Sequence, residues 1–268
     1  MIDLHCHMLP GIDDGAGDLA VAVAMAQAAV ADGIRVTACT PHIYPGLYEN
    51  DAGGIRRALA ALRTELARRG IPLALVQGAD VHLVPEVLDG LRRGRIPTLN
   101  GTRYLLLEPP HHVAPPRFED AVFALAAAGY VPVITHPERL SWIENHYEVF
   151  VRLARRGVWM QVTAGSVTGR FGRRPRYWAE RLLDEGWVHI LATDAHGVAK
   201  RPPLLAEARE AAALRVGAEE AEALVLQRPK GVIDNADPAG LKPVPGAGAA
   251  LPPPSRWQRW FGQARRGP

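Results

Sequence analysis

The chain has 268 residues, 48% apolar and 22% charged, with 31 Lys and Arg against 28 Asp and Glu for a net charge of +3. That length can bury a full core, the interspersed charge of both signs excludes disorder for most of the chain, and so small a basic surplus excludes a broad nucleic-acid surface. No stretch reaches the roughly 20 apolar residues of a membrane span, and the first residues lack a signal-peptide pattern, so a cytoplasmic protein is expected. Cys6 and Cys39 sit inside apolar runs and read as small buried hydrophobes rather than a disulfide.

The first strand is expected at residues 2–6, IDLHC, with a histidine at 5 and another at 7. In extended backbone, residues i and i+2 share a face, so His5 and His7 would converge as metal ligands do. The alternative makes Ile2, Leu4 and Cys6 the buried face of an edge strand and leaves both imidazoles in solvent. Asp13-Asp14-Gly15 follows in a turn before a helix at 19–31; one aspartate can cap while the other reaches a site, and the DDG turn favours Asp14 for the second role. Short β-branched runs then alternate with Ala/Leu/Arg stretches of helical period. Further strands are expected at 35–40, 73–79, 104–108, 131–136, 158–162 and 189–193, and helices at 54–69, 85–93, 118–128, 147–156 and 175–185. Several helices end at a glycine, and a helical pair follows over 204–226.

Seven strands with helical crossovers suit either a barrel or an open doubly wound sheet. A barrel gathers its site from the C-terminal ends of many strands, whereas an open sheet concentrates it at one switch point. His5 and His7 follow the first strand, His42 the second and Asp80 the third; Glu108 closes the fourth, His136 the fifth, and Asp194 and His196 follow the seventh. That distribution favours the barrel. So many imidazoles and carboxylates exceed the needs of one ion, so two or three are implied, and mixed nitrogen and oxygen donors suit Mn²⁺, Fe or Zn²⁺. Clustered divalent ions serve the hydrolysis of phosphoesters. Arg139 in THPER and Arg201 before RPP's prolines would project at the same rim, where a guanidinium can grip phosphoryl oxygens; the plainer reading pairs them with Glu138 or Glu207.

HxH in the first strand, DDG in the next turn, TPH after the second strand, THPER after the fifth and DAH followed by RPP after the seventh resemble the polymerase and histidinol phosphatase superfamily. Within it, the set is similar to the metal-dependent protein-tyrosine phosphatases of bacterial capsule and exopolysaccharide loci, with RIPTLNGTRYLLLE and HPER specific to that branch. The resemblance runs from Met1 to about Asp234. It implies a distorted (β/α)7 barrel and a trinuclear centre, usually with Mn²⁺. The substrate it implies is phosphotyrosine on a membrane-associated tyrosine autokinase that regulates polysaccharide assembly. It also implies His5, His7, Asp14, His42, Glu108, His136, Asp194 and His196 as ligands and Arg139 and Arg201 as phosphate-binding residues. Asp80, in QGADVHL, stands where the family commonly has Glu. A small-molecule phosphatase of the superfamily, acting for instance on histidinol phosphate, is the second reading, and a non-catalytic metal-binding module the third.

The barrel is expected over residues 1–236. Residues 237–268 read as a Pro/Gly/Ala-rich linker and a basic aromatic tail, flexible in the simplest reading. Trp257, Trp260 and Phe261 among arginines also suit weak contact with an anionic membrane, which would place the protein at its inner face.

Overall fold

A computed structural model describes residues 1–248. Its strands are β1 (Ile2–Cys6), β2 (Val36–Cys39), β3 (His42–Ile43), β4 (Ala74–Gln77), β5 (Asp80–His82), β6 (Tyr104–Glu108), β7 (Val131–Thr135), β8 (Trp159–Thr163) and β9 (Ile190–Ala192). The outer layer is α1 (Leu19–Ala31), α2 (Ala52–Arg68), α3 (Val87–Arg92), α4 (Phe118–Ala127), α5 (Ile143–Arg155), α6 (Ala164–Val167), α7 (Arg173–Asp184), α8 (Ala206–Val216), α9 (Ala218–Glu222) and α10 (Arg228–Ile233). Asp18 caps α1 and Asp51 caps α2, each side chain accepting a backbone N–H two or three residues into its helix. The fifth helix starts at Ile143, earlier than its periodicity predicts, because the helix continues through an irregular turn at His146 (φ −129°).

The expected second and third strands are observed as β2 and β4, and just beyond each the chain forms a further short strand, β3 and β5, that the pattern did not predict. Pro41 carries no N–H for a ladder, so β2 and β3 are separated at Thr40-Pro41. Across from it, a Cβ on Gly78 would lie 2.8 Å from the Thr40 methyl and 2.9 Å from Leu99 Cδ2, so only glycine lets β4 turn into β5 there. The ladders accordingly form two parallel sheets, β1-β2-β4 and β3-β5-β6-β7-β8-β9. The last strand returns to the first: the Asp194 N–H donates to His5 O at 2.8 Å and the His7 N–H to Ala195 O at 2.9 Å. The result is a distorted seven-stranded (β/α)7 barrel whose β4–β6 gap is filled by the 3-10 turn Leu99–Gly101.

Two apolar clusters build it. Inside lie Ile2, Leu4, Ala38, Tyr104, Leu106, Val133, Trp159, Ile190 and Ala192, closed from below by Leu99 and Val232. Outside, helix side chains pack on the opposite strand faces. Leu4 faces inward and Cys6 outward, so simple alternation from Ile2 to Cys6 fails. The reason is a register shift between Asp3 and Cys6, where β1 spends three residues against two on β2. Such a bulge re-aims side chains, and it puts His5 and His7 in the interior above Leu4 rather than in solvent.

The C-terminal segment stays on the barrel farther than its composition predicts. Arg228, itself buried, pairs with Glu220 at 2.7 Å and donates to the carbonyls of Lys242 and Pro243; Val244 is buried, and the Gly246 N–H donates to Gly186 O. The expected flexible stretch therefore does not begin at 237. Trp257, Trp260 and Phe261 lie outside the described residues. Among the described residues, no helix is long and apolar enough to cross a membrane.

The join of β1 to β9 is stapled by Asp3, fully buried, which accepts the N–H of Thr193 at 3.0 Å and of His5 at 3.3 Å while its other oxygen accepts the Thr193 hydroxyl. Burial pushes its carboxyl up to about 6 despite these bonds, so a neutral amide suits the position. Asp3→Ala should lower stability by about 1–3 kcal/mol by orphaning buried donors, and Asp3→Asn by less. Thermal denaturation checks this; wild-type melting of Asp3→Ala would show that the staple contributes nothing.

Candidate metal centre

The C-terminal ends of β1, β6, β7 and β9, the first residues of β3 and β5, and the DDG turn converge on one cluster, buried except at Asp14. Asp80 Oδ2 lies 3.3 Å from His5 Nε2 and 3.6 Å from His42 Nδ1. His5 Nε2 is also 3.1 Å from His7 Nε2, and both imidazoles are 3.3 Å from Asp194 Oδ1. Glu108 places one oxygen 3.4 Å from His42 Nδ1 and the other 3.5 Å from His136 Nε2. Asp14 Oδ1 stands 3.5 Å from His42 and 3.3 Å from His196. The eight residues expected from the strand ends and Asp14 of the DDG turn are thus brought together. Each contributes an atom to at least one group with metal-binding spacing; the carboxylates Asp80 and Glu108 each belong to two, as do His5, His7, His42 and His136.

The donor set fits divalent ions. Both Asp80 oxygens, His42 Nδ1, His136 Nδ1 and His196 Nε2 are buried without a hydrogen-bond partner, a costly arrangement for a site built only of protein. Asp80 reaches both neighbouring groups although it is a methylene shorter than Glu, because the break at Gly78 carries β5 to His42, opposite which Asp80 pairs.

Backbone irregularity collects here. His136 and Asp194 both have left-handed backbone, φ 35° and 51°, which is rare for such residues and found where surrounding structure imposes it. In the DDG turn, a Cβ on Gly15 would fall 2.0 Å from His7 O, so glycine is what lets the turn close over β1.

Several contributors have weak signals in the sequence. Asp13 does not cap α1; it binds His7 Nδ1 at 2.7 Å and accepts the N–H of Gly15 and of His42. Gln161 holds His5 Nδ1 at 2.9 Å, and a lone glutamine within the buried strand WMQVT was its only signal. Such partners fix the ring orientation of a ligating histidine. His111 lies 3.2 Å from Glu108 and joins His136 in a further metal-spaced group; the HH pair after a strand-end glutamate was its trace.

Neither arginine takes the surface partner that sequence offered. Arg139 and Arg201 both donate to Asp194 Oδ2, while the opposite oxygen of that carboxylate faces the histidines. Glu207 pairs with Arg170 instead. Glu138 turns inward, accepting from the Thr163 N–H at 3.0 Å and the Ser166 hydroxyl at 2.8 Å, and so anchors the turn that carries Arg139.

Burial opposes charge on His5, but Asp80 and Asp194 hold its pKa up to about 9; burial likewise opposes charge on His42, which Glu108 and Asp80 hold up to about 10. Burial also opposes ionisation of Asp194, yet His5, Arg201 and Arg139 keep its carboxyl well below the ordinary range. Burial and Arg139 drive His136 far down.

The pocket over this cluster has a volume of about 470 Å³; besides the residues already named, Tyr44, Leu47, Tyr48, His82, Pro110, His112 and Val113 line it. The sequence profile of the capsular polysaccharide synthesis family CpsB/CapC matches residues 1–234. The chain belongs to this family. Tyrosine-protein phosphatase YwqE of Bacillus subtilis is 39% identical over 201 residues, covering 75% of this chain and 79% of that protein. Tyrosine-protein phosphatase CpsB of Streptococcus pneumoniae is 27% identical over 238 residues, covering 87% and 98%. A crystal structure from work on YwqE of Bacillus subtilis and CpsB of Streptococcus pneumoniae, described there as metal-dependent tyrosine phosphatases, superposes with a TM-score of 0.85 at 35% identity. It covers 88% of this chain and 96% of that one.

Because ligating histidines must be deprotonated, His5 and His42 should give up protons when metal binds at pH 7.5, and apparent affinity should weaken as pH falls. Calorimetry in buffers of different ionisation enthalpy should give buffer-dependent heats, and metal analysis more than one equivalent of divalent ion. Heats that do not change with buffer would refute this account of the cluster.

Proposed function

We propose that this protein is a metal-dependent protein-tyrosine phosphatase that acts on a tyrosine autokinase controlling capsular or exopolysaccharide synthesis, in the cytoplasm beside the membrane. The observation that carries the reading is the two-sided environment of Asp194: histidines of a metal-spaced cluster on one oxygen, two arginines on the other. A phosphomonoester needs both, cations to neutralise its oxygens and fixed donors to orient them. His5, His7, Asp14, His42, Asp80, Glu108, His136, Asp194 and His196 would hold the ions, with Asp80 and Glu108 serving two groups each. When bound, two or three divalent ions, Mn²⁺ in our reading and Fe or Zn²⁺ by the same donors, would acidify a water and neutralise phosphoryl charge.

The chain's own groups do the rest. Arg139 and Arg201, each about a fifth to a quarter exposed, present N–H groups to the pocket from the side opposite the histidines. There they would bind the phosphoryl oxygens and stabilise the charge that grows on them during displacement. Asp13 and Gln161 hold His7 and His5 in their tautomers. The mouth supports an aromatic ester over histidinol phosphate: Leu47 and Val113 stand 62% and 68% exposed beside Tyr44 and Tyr48, an apolar wall suited to a phenol ring.

Cysteine chemistry has no place in this scheme. Cys6 and Cys39 are fully buried, and burial pushes the Cys39 thiol up to about 12. Cys6→Ala and Cys39→Ala should retain activity on a phosphotyrosine peptide, while EDTA abolishes it. Arg139→Ala or Arg201→Ala should cost about 10²–10³ in kcat, and Arg201→Lys should fall short of wild type because it loses the planar fork. Comparison of a phosphotyrosine peptide with histidinol phosphate decides the substrate; faster turnover of histidinol phosphate would overturn the reading.

For localisation, we propose that residues 251–268, with Trp257, Trp260 and Phe261 among Arg256, Arg259, Arg265 and Arg266, touch anionic lipid. Sedimentation with anionic liposomes should drop when this segment is removed; equal sedimentation of the shortened chain would refute the contact.

A further inference from the structure

One aromatic ring underlies both arginines of the site. Phe171, in the turn between α6 and α7, has the guanidinium carbon of Arg139 at 5.1 Å and that of Arg201 at 6.0 Å from its ring centroid. We propose that Phe171 is a positioning residue, a neutral platform that holds the two guanidinium groups together and oriented toward the phosphoryl group. The proposal rests on the reading of Arg139 and Arg201 as phosphate ligands.

The physical need is specific. Two like charges converge on a single oxygen of Asp194, and that carboxylate is shared with the histidine cluster. A second carboxylate beneath the arginines would hold them in place, but it would also cancel the positive field that an incoming phosphoryl group requires. The face of an aromatic ring attracts cations through its quadrupole and adds no net charge. It steadies the pair and leaves their attraction for an anion intact.

The surroundings are built for the ring. A Cβ on Gly165 would meet three Phe171 ring carbons at 2.9, 3.1 and 3.2 Å, so a side chain there would displace it. The turn is closed by Phe171 N–H to Gly165 O at 3.3 Å and Gly172 N–H to Gly169 O at 3.0 Å, and its neighbour Arg170 is tied to Glu207 on α8. Phe171 is half-buried and belongs to neither apolar cluster of the barrel, so core packing does not account for it. Nothing in the sequence motifs marks it, because it lies more than 25 residues from either arginine.

The test is a series at position 171 in the full-length, Mn²⁺-loaded protein: Phe171→Leu, Phe171→Tyr, and phenylalanines carrying one to three ring fluorines, which weaken the quadrupole with little change of shape. Affinity for inorganic phosphate and kcat/KM on a phosphotyrosine peptide are read alongside metal content and melting temperature. Both functional readouts should fall stepwise with fluorination, by about tenfold in Phe171→Leu, and recover in Phe171→Tyr, at unchanged metal content. A flat fluorine series, or wild-type phosphate affinity in Phe171→Leu, would overturn the platform. Should the wild-type protein hydrolyse no phosphotyrosine peptide, the phosphatase reading fails by itself, and the phosphate-affinity series still decides the role of Phe171.

Discussion

The chemistry of this barrel depends on one buried carboxylate that faces two ways. Asp194 is almost wholly removed from water, with His5 and His7 on one oxygen and Arg139 and Arg201 on the other. A buried charge is tolerated only when partnered, and here every partner is positively charged or able to become so. The metal-spaced cluster and the arginine pair are therefore coupled through a single side chain. Divalent ions held by the histidines would add to that balance of charge.

Several backbone irregularities of the barrel gather around that carboxylate. The bulge in β1, the breaks at Pro41 and Gly78, and the left-handed backbone of His136 and Asp194 all lie at the C-terminal ends of strands. Below them the interior is apolar and closed by Leu99 and Val232. A dry, well-packed lower barrel can hold strained backbone in place above it, which keeps the side chains of the cluster crowded without drifting apart. The Asp3 staple ties β1 to β9, the two strands that bring His5, His7 and Asp194 together.

Orientation around the cluster is supplied by residues one step removed. Asp13 and Gln161 set two histidine rings, Glu138 anchors the Arg139 turn, and Phe171 lies under both arginines. The exposed apolar side chains of Leu47 and Val113 stand apart from these, on loops after β3 and β6, so the apolar mouth and the arginine pair are carried by different parts of the molecule.

By itself the sequence determined the alternation of strands and helices, the barrel class, and the set of imidazoles and carboxylates at strand ends. Those properties are local: periodicity, strand-end position and His5-x-His7 spacing are written within a few residues of one another. The short strands β3 and β5 were not legible, because Gly78 matters only against Thr40 and Leu99, which register brings to it. Nor were the roles of Asp13, Gln161 and His111, or the choice of Asp194 over Glu138 and Glu207 as partner of the arginines. Gln161 meets His5 across 156 residues and Arg139 meets Asp194 across 55. Only ring closure and strand register fix which side chains share so small a volume, and in a buried cluster that sharing decides which charges pair.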